Sequence, residues 1–128
     1  MQHLPDITST TIPHDTQLYD TAGNYGENGR GHWWLEISQM KDWRYEFLVM
    51  MHELTEMALT KQANVEWKQI DLFDTTIGKD SDDPGTMPEA PYHVQHMQAM
   101  VIEKKLAKML GVNWKKYDES FKELVWRP

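Results

Sequence analysis

The residues best suited to chemistry are histidines and glutamates that recur at helical spacing in two separate stretches of the chain. His52 and Glu56 are four residues apart, and His96 and Glu103 are seven residues apart. On a helix these separations place the two members of each pair about 40° and about 20° apart around the axis. Imidazole and carboxylate groups on one face can share a proton or bind one divalent ion. The sequence therefore predicts either a metal site or a buried hydrogen-bond network.

The first pair lies in a predicted long helix over residues 42–62, with Asp42 as its N-cap. Spacings of three and four predict a core-facing stripe made of Phe47, Met50, Met51, Leu54, Met57 and Ala58. The opposite side is also largely apolar, which predicts a second layer of protein over it. His52 and Glu56 belong to that second layer, and Glu53 points to one side of them.

The second pair lies in a predicted helix over residues 91–111, where Pro91 suits the first turn and Gly111 the C-terminal cap. Its apolar stripe passes over His96 and Glu103 and consists of Tyr92, Ala99, Leu106, Ala107 and Leu110. An ionised glutamate in a core stripe is strongly unfavourable unless it is paired or coordinated. Glu103 is therefore expected to have a buried partner.

Packing the two helices against each other, antiparallel or crossed, would bring both pairs together. The predicted metal ligands are His52, Glu56, His96 and Glu103. Residues that could support such ligands are His93, Asp71 and Asp74. Because the chain has no cysteine, only imidazole, carboxylate or backbone oxygen can hold an ion, which suits zinc, manganese, iron, magnesium or calcium. The expected cofactor is zinc, manganese or iron. In the alternative interpretation the same groups form salt bridges and hydrogen bonds without an ion.

A small β region is predicted to position these helices. Residues 17–21 and 32–38 have strand character and are expected to form a hairpin through the glycine-rich segment 22–31. Residues 7–12 are an extended arm or a first short strand. Alternation in the second hairpin strand directs one apolar face toward the long helix, namely Trp33, Leu35 and Ile37.

Two shorter helices complete the predicted fold. The first follows Asn64 as its cap and ends before Gly78, with inward residues Val65, Ile70, Phe73 and Ile77. The second lies in the tail and groups Tyr117, Phe121, Leu124 and Val125 on one side. We therefore predict a single α+β domain over 1–128, with an N-terminal β-hairpin or small antiparallel sheet (1–40) packed on two long and two short helices (42–128).

Composition narrows the expected partners. No apolar run approaches the roughly 20 residues of a membrane span. The net charge of -7 argues against broad nucleic-acid binding, because affinity for phosphates comes from lysine and arginine. The N-terminus lacks the basic start and apolar block of a secretory signal, so a cytoplasmic location is expected. The partner is then an unknown substrate or protein, and a homodimer is plausible.

The string HELTE, which contains His52, Glu53 and Glu56, resembles the HExxH helix of the zincin metallopeptidases. In that family two histidines bind zinc and the glutamate after the first histidine activates water. The resemblance implies that His52 is a ligand and Glu53 the catalytic general base of a metal-dependent hydrolase. Glu56 replaces the second histidine, and this departure favours a harder ion such as manganese or iron.

More broadly, residues 46–56 and 90–114 resemble an uncharacterised family of bacterial and bacteriophage proteins. This resemblance implies that the two stretches belong together. The alternative function is a non-enzymatic accessory or assembly domain of a phage or bacterium, with a structural His/Glu cluster. An HD-type phosphohydrolase would need His32 on a helix and an aspartate at Glu53, and a ferritin-like site would need four long helices.

Overall fold

The computed structural model describes residues 3–127, which form a three-stranded sheet followed by four α-helices. The strands are β1 (Ile7–Ile12), β2 (Gly23–Glu27) and β3 (Trp33–Ser38), in the order β1-β3-β2. The predicted α+β class is confirmed. Residues 1, 2 and 128 of the predicted domain lie outside the described residues.

The sheet differs from the prediction in two respects. It is mixed rather than antiparallel, because β3 pairs parallel with β1 and antiparallel with β2. The prediction of the first hairpin strand at residues 17–21 is wrong, since that strand is β2 and lies inside the segment expected to be a loop.

The glycines of β2 explain the error. They provide room for packing, because a Cβ at Gly26 would lie 2.4 Å from Trp34 Cζ2 and one at Gly23 would lie 2.6 Å from Glu53 Cγ. The turn itself is shorter than predicted and closes with the hydrogen bond from Asn28 N to His32 O.

The four helices are α1 (Trp43–Gln62), α2 (Trp67–Thr75), α3 (His93–Met109) and α4 (Trp114–Ser120). Asp42 caps α1 as predicted, since its side chain accepts a hydrogen bond from Arg44 N. The predicted cap of α2 is wrong: Asn64 has a positive φ of 60° just after α1, and Glu66 forms a capping box instead. None of the helices within residues 3–127 is long and apolar enough to cross a bilayer.

The buried side of α1 is the side that bears His52 and Glu56. It packs against α3, β2 and β3 and includes Tyr45, Leu48, Val49, Met57 and Thr60. The predicted stripe on the other side is wrong for most of its members, because Phe47, Met50, Met51 and Leu54 are only half-buried and Ala58 is exposed. A helix that is apolar nearly all round gives spacing little power to choose the inner side.

The stripe predicted for α3 is confirmed at Tyr92, Ala99 and Ala107, which are buried together with His96 and Glu103. Its other two members, Leu106 and Leu110, are half-buried and pack against the core. The predicted inner face of β3 is also confirmed, because Trp33, Leu35 and Ile37 are buried. Since α3 packs on α1, both predicted pairs of polar residues lie inside the same interface.

Candidate metal centre

Three side chains from α1 and α3 converge on one buried point. His52 Nε2 lies 3.1 Å from both Glu56 Oε2 and His96 Nδ1, and the latter two atoms are 2.7 Å apart. The side chains belong to residues that are 7%, 3% and 8% exposed, respectively. Among the described residues this is the group whose geometry could hold a metal ion.

The spacing of the three atoms fits an ion. Ligands of a tetrahedral site with bonds of about 2.0–2.1 Å are about 3.3 Å apart, so outward shifts of a few tenths of an ångström would suffice. Two imidazole nitrogens and one carboxylate oxygen form a donor set found for zinc and for non-haem iron. The arrangement can thus hold a divalent ion by three protein ligands and leave further positions for water or substrate.

Each imidazole also faces a second carboxylate with its other ring nitrogen. His52 Nδ1 donates to Glu103 Oε1 at 2.7 Å, and His96 Nε2 lies 3.0 Å from Asp83 Oδ1. The contact between His96 and Asp83 is close enough for an ion pair but is not aligned as a hydrogen bond. His96 Nε2 therefore has no hydrogen-bond partner among the described residues. Metal-binding histidines usually have such a carboxylate behind them, where it fixes the ring and raises its basicity.

Two tyrosines anchor the glutamates. Tyr25 on β2 donates to Glu56 Oε1 at 2.9 Å, and Tyr117 on α4 donates to Glu103 Oε2 at 2.5 Å. Both tyrosines belong to the core. Burial and the nearby Glu56 charge raise the pKa of Tyr25, and burial and the Glu103 charge raise that of Tyr117, so both hydroxyls keep their protons. The cluster is therefore held by the sheet and by all helices except α2.

The electrostatics of the cluster favour charged groups despite burial. Burial raises the pKa of Glu56, but hydrogen bonds from His52 and His96 outweigh it and bring that pKa to about 2. Burial lowers the pKa of His96, but Asp83 and Glu56 outweigh it and raise it to about 9. The pKa of His52 is raised well above its usual range for the same reason, by Glu103 and Glu56. A negative Glu56 thus lies between two imidazoles that hold protons firmly.

Glu53 lies beside the cluster and lines a cavity that opens onto it. Its side chain packs against the backbone of β2 at Gly23, where a Cβ would collide with it. Burial, followed by the charge of Glu56, raises the pKa of Glu53 well above its usual range. The predicted base is therefore near the predicted ligands, outside the hydrogen bonds that join them.

A cavity of about 760 Å³ opens onto the cluster. Another part of the cavity wall comes from Asp71 and Asp74 on α2. The hydroxyl of Tyr19, which precedes β2, donates to Asp71 Oδ1 (3.0 Å) and to Asp74 Oδ2 (3.1 Å). Tyr92 donates to Asp74 Oδ1 at 2.5 Å. Burial raises the pKa of Asp74 to about 6, against the effect of these two tyrosines. The α2 aspartates thus bind tyrosines in the structure, not histidines.

The turn Pro84–Thr86 covers His96 from the side of the connection between α2 and α3. His93 Nδ1 donates to Gly85 O at 3.0 Å, which fixes this turn to the start of α3. A Cβ at Gly85 would lie 2.3 Å from His96 Cγ, so only glycine lets the turn approach the ring this closely. His93 therefore holds the turn that presents Asp83.

The structure brings His52, Glu56 and His96 together and places Glu103 behind His52, at the ring nitrogen that faces away from the cluster. Sequence reasoning did not identify Tyr25, Tyr117 or Asp83, because nothing in their spacing links them to the two helices. No protein-family model, curated protein or solved structure matches the chain.

Proposed function

We propose that the protein binds a divalent metal ion through His52 Nε2, Glu56 Oε2 and His96 Nδ1 and acts as a metal-dependent hydrolase. The observation that carries this proposal is the orientation of the two imidazoles. Each has one nitrogen in the cluster and the other against a carboxylate, Glu103 or Asp83. Such pairing is typical of metal-binding histidines.

The donor set suits zinc, manganese or iron. Glu103, held by Tyr117, keeps the ring of His52 in the orientation that points Nε2 at the ion. Tyr25 does the same for Glu56 by occupying its second oxygen. These contacts preorganise the ligands, so little reorganisation is required when the ion binds.

The hydrolytic role rests on Glu53 and on the cavity. A bound divalent ion supplies Lewis acidity, which polarises a carbonyl group and makes a water molecule easier to deprotonate. Glu53 follows His52 directly and lines the cavity, where its carboxylate can accept the proton of a water beside the substrate. The resemblance of HELTE to the zincin helix supports the same role.

The first test is the metal content of the protein, purified without an affinity tag or chelator, by elemental mass spectrometry. We expect about one ion per chain, lost in His52→Ala and in His96→Ala. His32→Ala is the matched control, because His32 is exposed and distant from the cluster in sequence. Metal retained by both cluster variants, or no uptake after incubation with zinc, manganese and iron, would refute the proposed site and leave a hydrogen-bond network.

The hydrolytic part has its own test with a library of quenched fluorescent peptides, neutral, acidic and basic, and the metal-loaded protein. Glu53→Gln should lower turnover by at least about 100-fold while leaving the metal content unchanged. Glu89→Gln, at an exposed position, should leave turnover unchanged. Equal turnover in the two variants would exclude Glu53 as the base, and an inactive parent that holds metal would favour a non-enzymatic role.

A further inference from the structure

The cavity over the cluster has a strong excess of negative charge. Ten carboxylate residues and two lysines line it. If a divalent ion is added and the histidines are neutral, a formal excess of six negative charges remains. Both lysines, Lys79 and Lys122, are exposed. The field inside the cavity therefore repels phosphates and acidic peptides and attracts cations.

Two of the carboxylates that line the cavity belong to α2. Asp71 and Asp74 are three residues apart, share one face of the helix and are both partly buried. Tyr19 links them by donating to both. No lysine or arginine within residues 3–127 forms a salt bridge with either one. Partly buried carboxylates without a cation are unfavourable, so a cationic group would find a strong site here.

A second observation, independent of the acidic groups, indicates a neutral part of the ligand. Asn24 on β2 is only 4% exposed and lines the same cavity. Its Oδ1 accepts a hydrogen bond from Tyr25 N at 2.9 Å, which directs Nδ2 away from that bond. Among the described residues Nδ2 has no hydrogen-bond partner. A buried amide donor without a partner suits a carbonyl oxygen of the ligand.

The two features belong to adjacent walls, because α2 packs against β2. We propose that the cavity takes a basic peptide or amide, with its cationic side chain against Asp71 and Asp74 and a carbonyl oxygen at Asn24 Nδ2. Hydrolysis of such a peptide rests on the function proposed above, whereas its binding does not.

Binding is tested with two fluorescein-labelled pentapeptides that differ only in a central lysine or glutamate. Fluorescence anisotropy is measured on the zinc-loaded Glu53→Gln protein and on chelator-treated wild type. We expect the lysine peptide to bind at least ~10-fold more tightly in both, and more so at low salt. Equal affinities, tighter binding of the glutamate peptide, or no binding of either peptide would overturn the proposal.

Variants assign the preference to particular groups. Asp71→Asn and Asp74→Asn should each lower the lysine preference about 10-fold, and Asn24→Ala should weaken both peptides alike. Asp15→Asn is the control, because it makes the same change at an exposed site outside the cavity. Thermal unfolding of each variant verifies its fold, and Asp71→Asn is the milder change, since Asp71 accepts only from Tyr19 among side chains. A preference that persists in both aspartate variants would refute the site. Failure of the wild type to take up any metal, with the lysine preference intact, would instead refute only the metal centre.

Discussion

Replacement of Tyr117 by phenylalanine gives the most direct test of the buried network. Tyr117 is fully buried, and its hydroxyl is the donor to Glu103 Oε2, while His52 occupies Oε1. Tyr117→Phe keeps the ring and removes one hydrogen bond. It leaves an oxygen of a carboxylate that is 6% exposed without its donor.

The expected cost follows from the chemistry of that bond. A hydrogen bond to a charged group contributes about 1.5–3 kcal/mol, and a buried acceptor that loses its donor bears the desolvation penalty. We therefore expect Tyr117→Phe to lower the free energy of unfolding by about 2 kcal/mol. For a chain of 128 residues this corresponds to a fall in Tm of roughly 6–10 °C.

The assay is urea unfolding in the presence of a chelator, followed by tryptophan fluorescence and circular dichroism. Tyr45→Phe is the matched control, because its ring packs 5.2 Å from that of Tyr117 and its hydroxyl bonds to no residue that the structure describes. It should cost less than about 0.5 kcal/mol. A double-mutant cycle with Glu103→Gln should return most of the Tyr117 effect as coupling energy. Equal stability of the two phenylalanine variants would mean that Glu103 is solvated, which would refute the buried network.

Three further predictions concern the same region. Glu103→Gln should weaken metal affinity about 10- to 100-fold in competition with a chromophoric chelator, and unchanged affinity would show that the carboxylate does not support its histidine. Folding raises the pKa of Asp74 from 3.8 to about 6. The protonated carboxyl therefore adds to the free energy of unfolding below pH 4, and this stabilisation is lost as the pH rises through 6. Relative to Asp74→Asn, the wild type should lose up to about 3 kcal/mol of unfolding free energy between pH 4 and pH 7; parallel pH profiles would contradict this. Gly85→Ala should destabilise the fold by about 1–3 kcal/mol and weaken metal binding, since its methyl group would meet the His96 ring at 2.3 Å. Gly29→Ala is its control, as nothing lies within 4 Å of that position, and equal effects would contradict the close packing at His96.

The sequence predicted the site better than it predicted the sheet. His52 and Glu56, like His96 and Glu103, occur at local helical spacing, so the face that they share can be inferred without tertiary contacts. The meeting of the two pairs is predicted because an ionised glutamate is unfavourable in the core unless it has a partner. Tyr117 and Asp83 reach the cluster from the segments that flank α3, and their spacing does not follow the period of either helix.

The sheet was harder because glycine has more than one structural use. The glycines of the segment 22–31 are typical of a turn, whereas in the structure Gly23 and Gly26 make room for the side chains of Glu53 and Trp34. The parallel pairing of β1 with β3 depends on contacts between residues about 26 positions apart, such as Ile7 and Trp33, which no local pattern encodes. The α1 stripe failed because apolar residues occur nearly all round that helix.

Four separate elements meet at the cluster, since β2 supplies Tyr25, α4 supplies Tyr117, and α1 and α3 supply the histidines and glutamates. Each of these polar groups is unfavourable in the core until its partners are present. A chain in which only some of the elements have docked therefore gains little from the cluster and bears the desolvation of its members. The same groups that could hold an ion thus favour cooperative folding, in which sheet and helices form together rather than in succession.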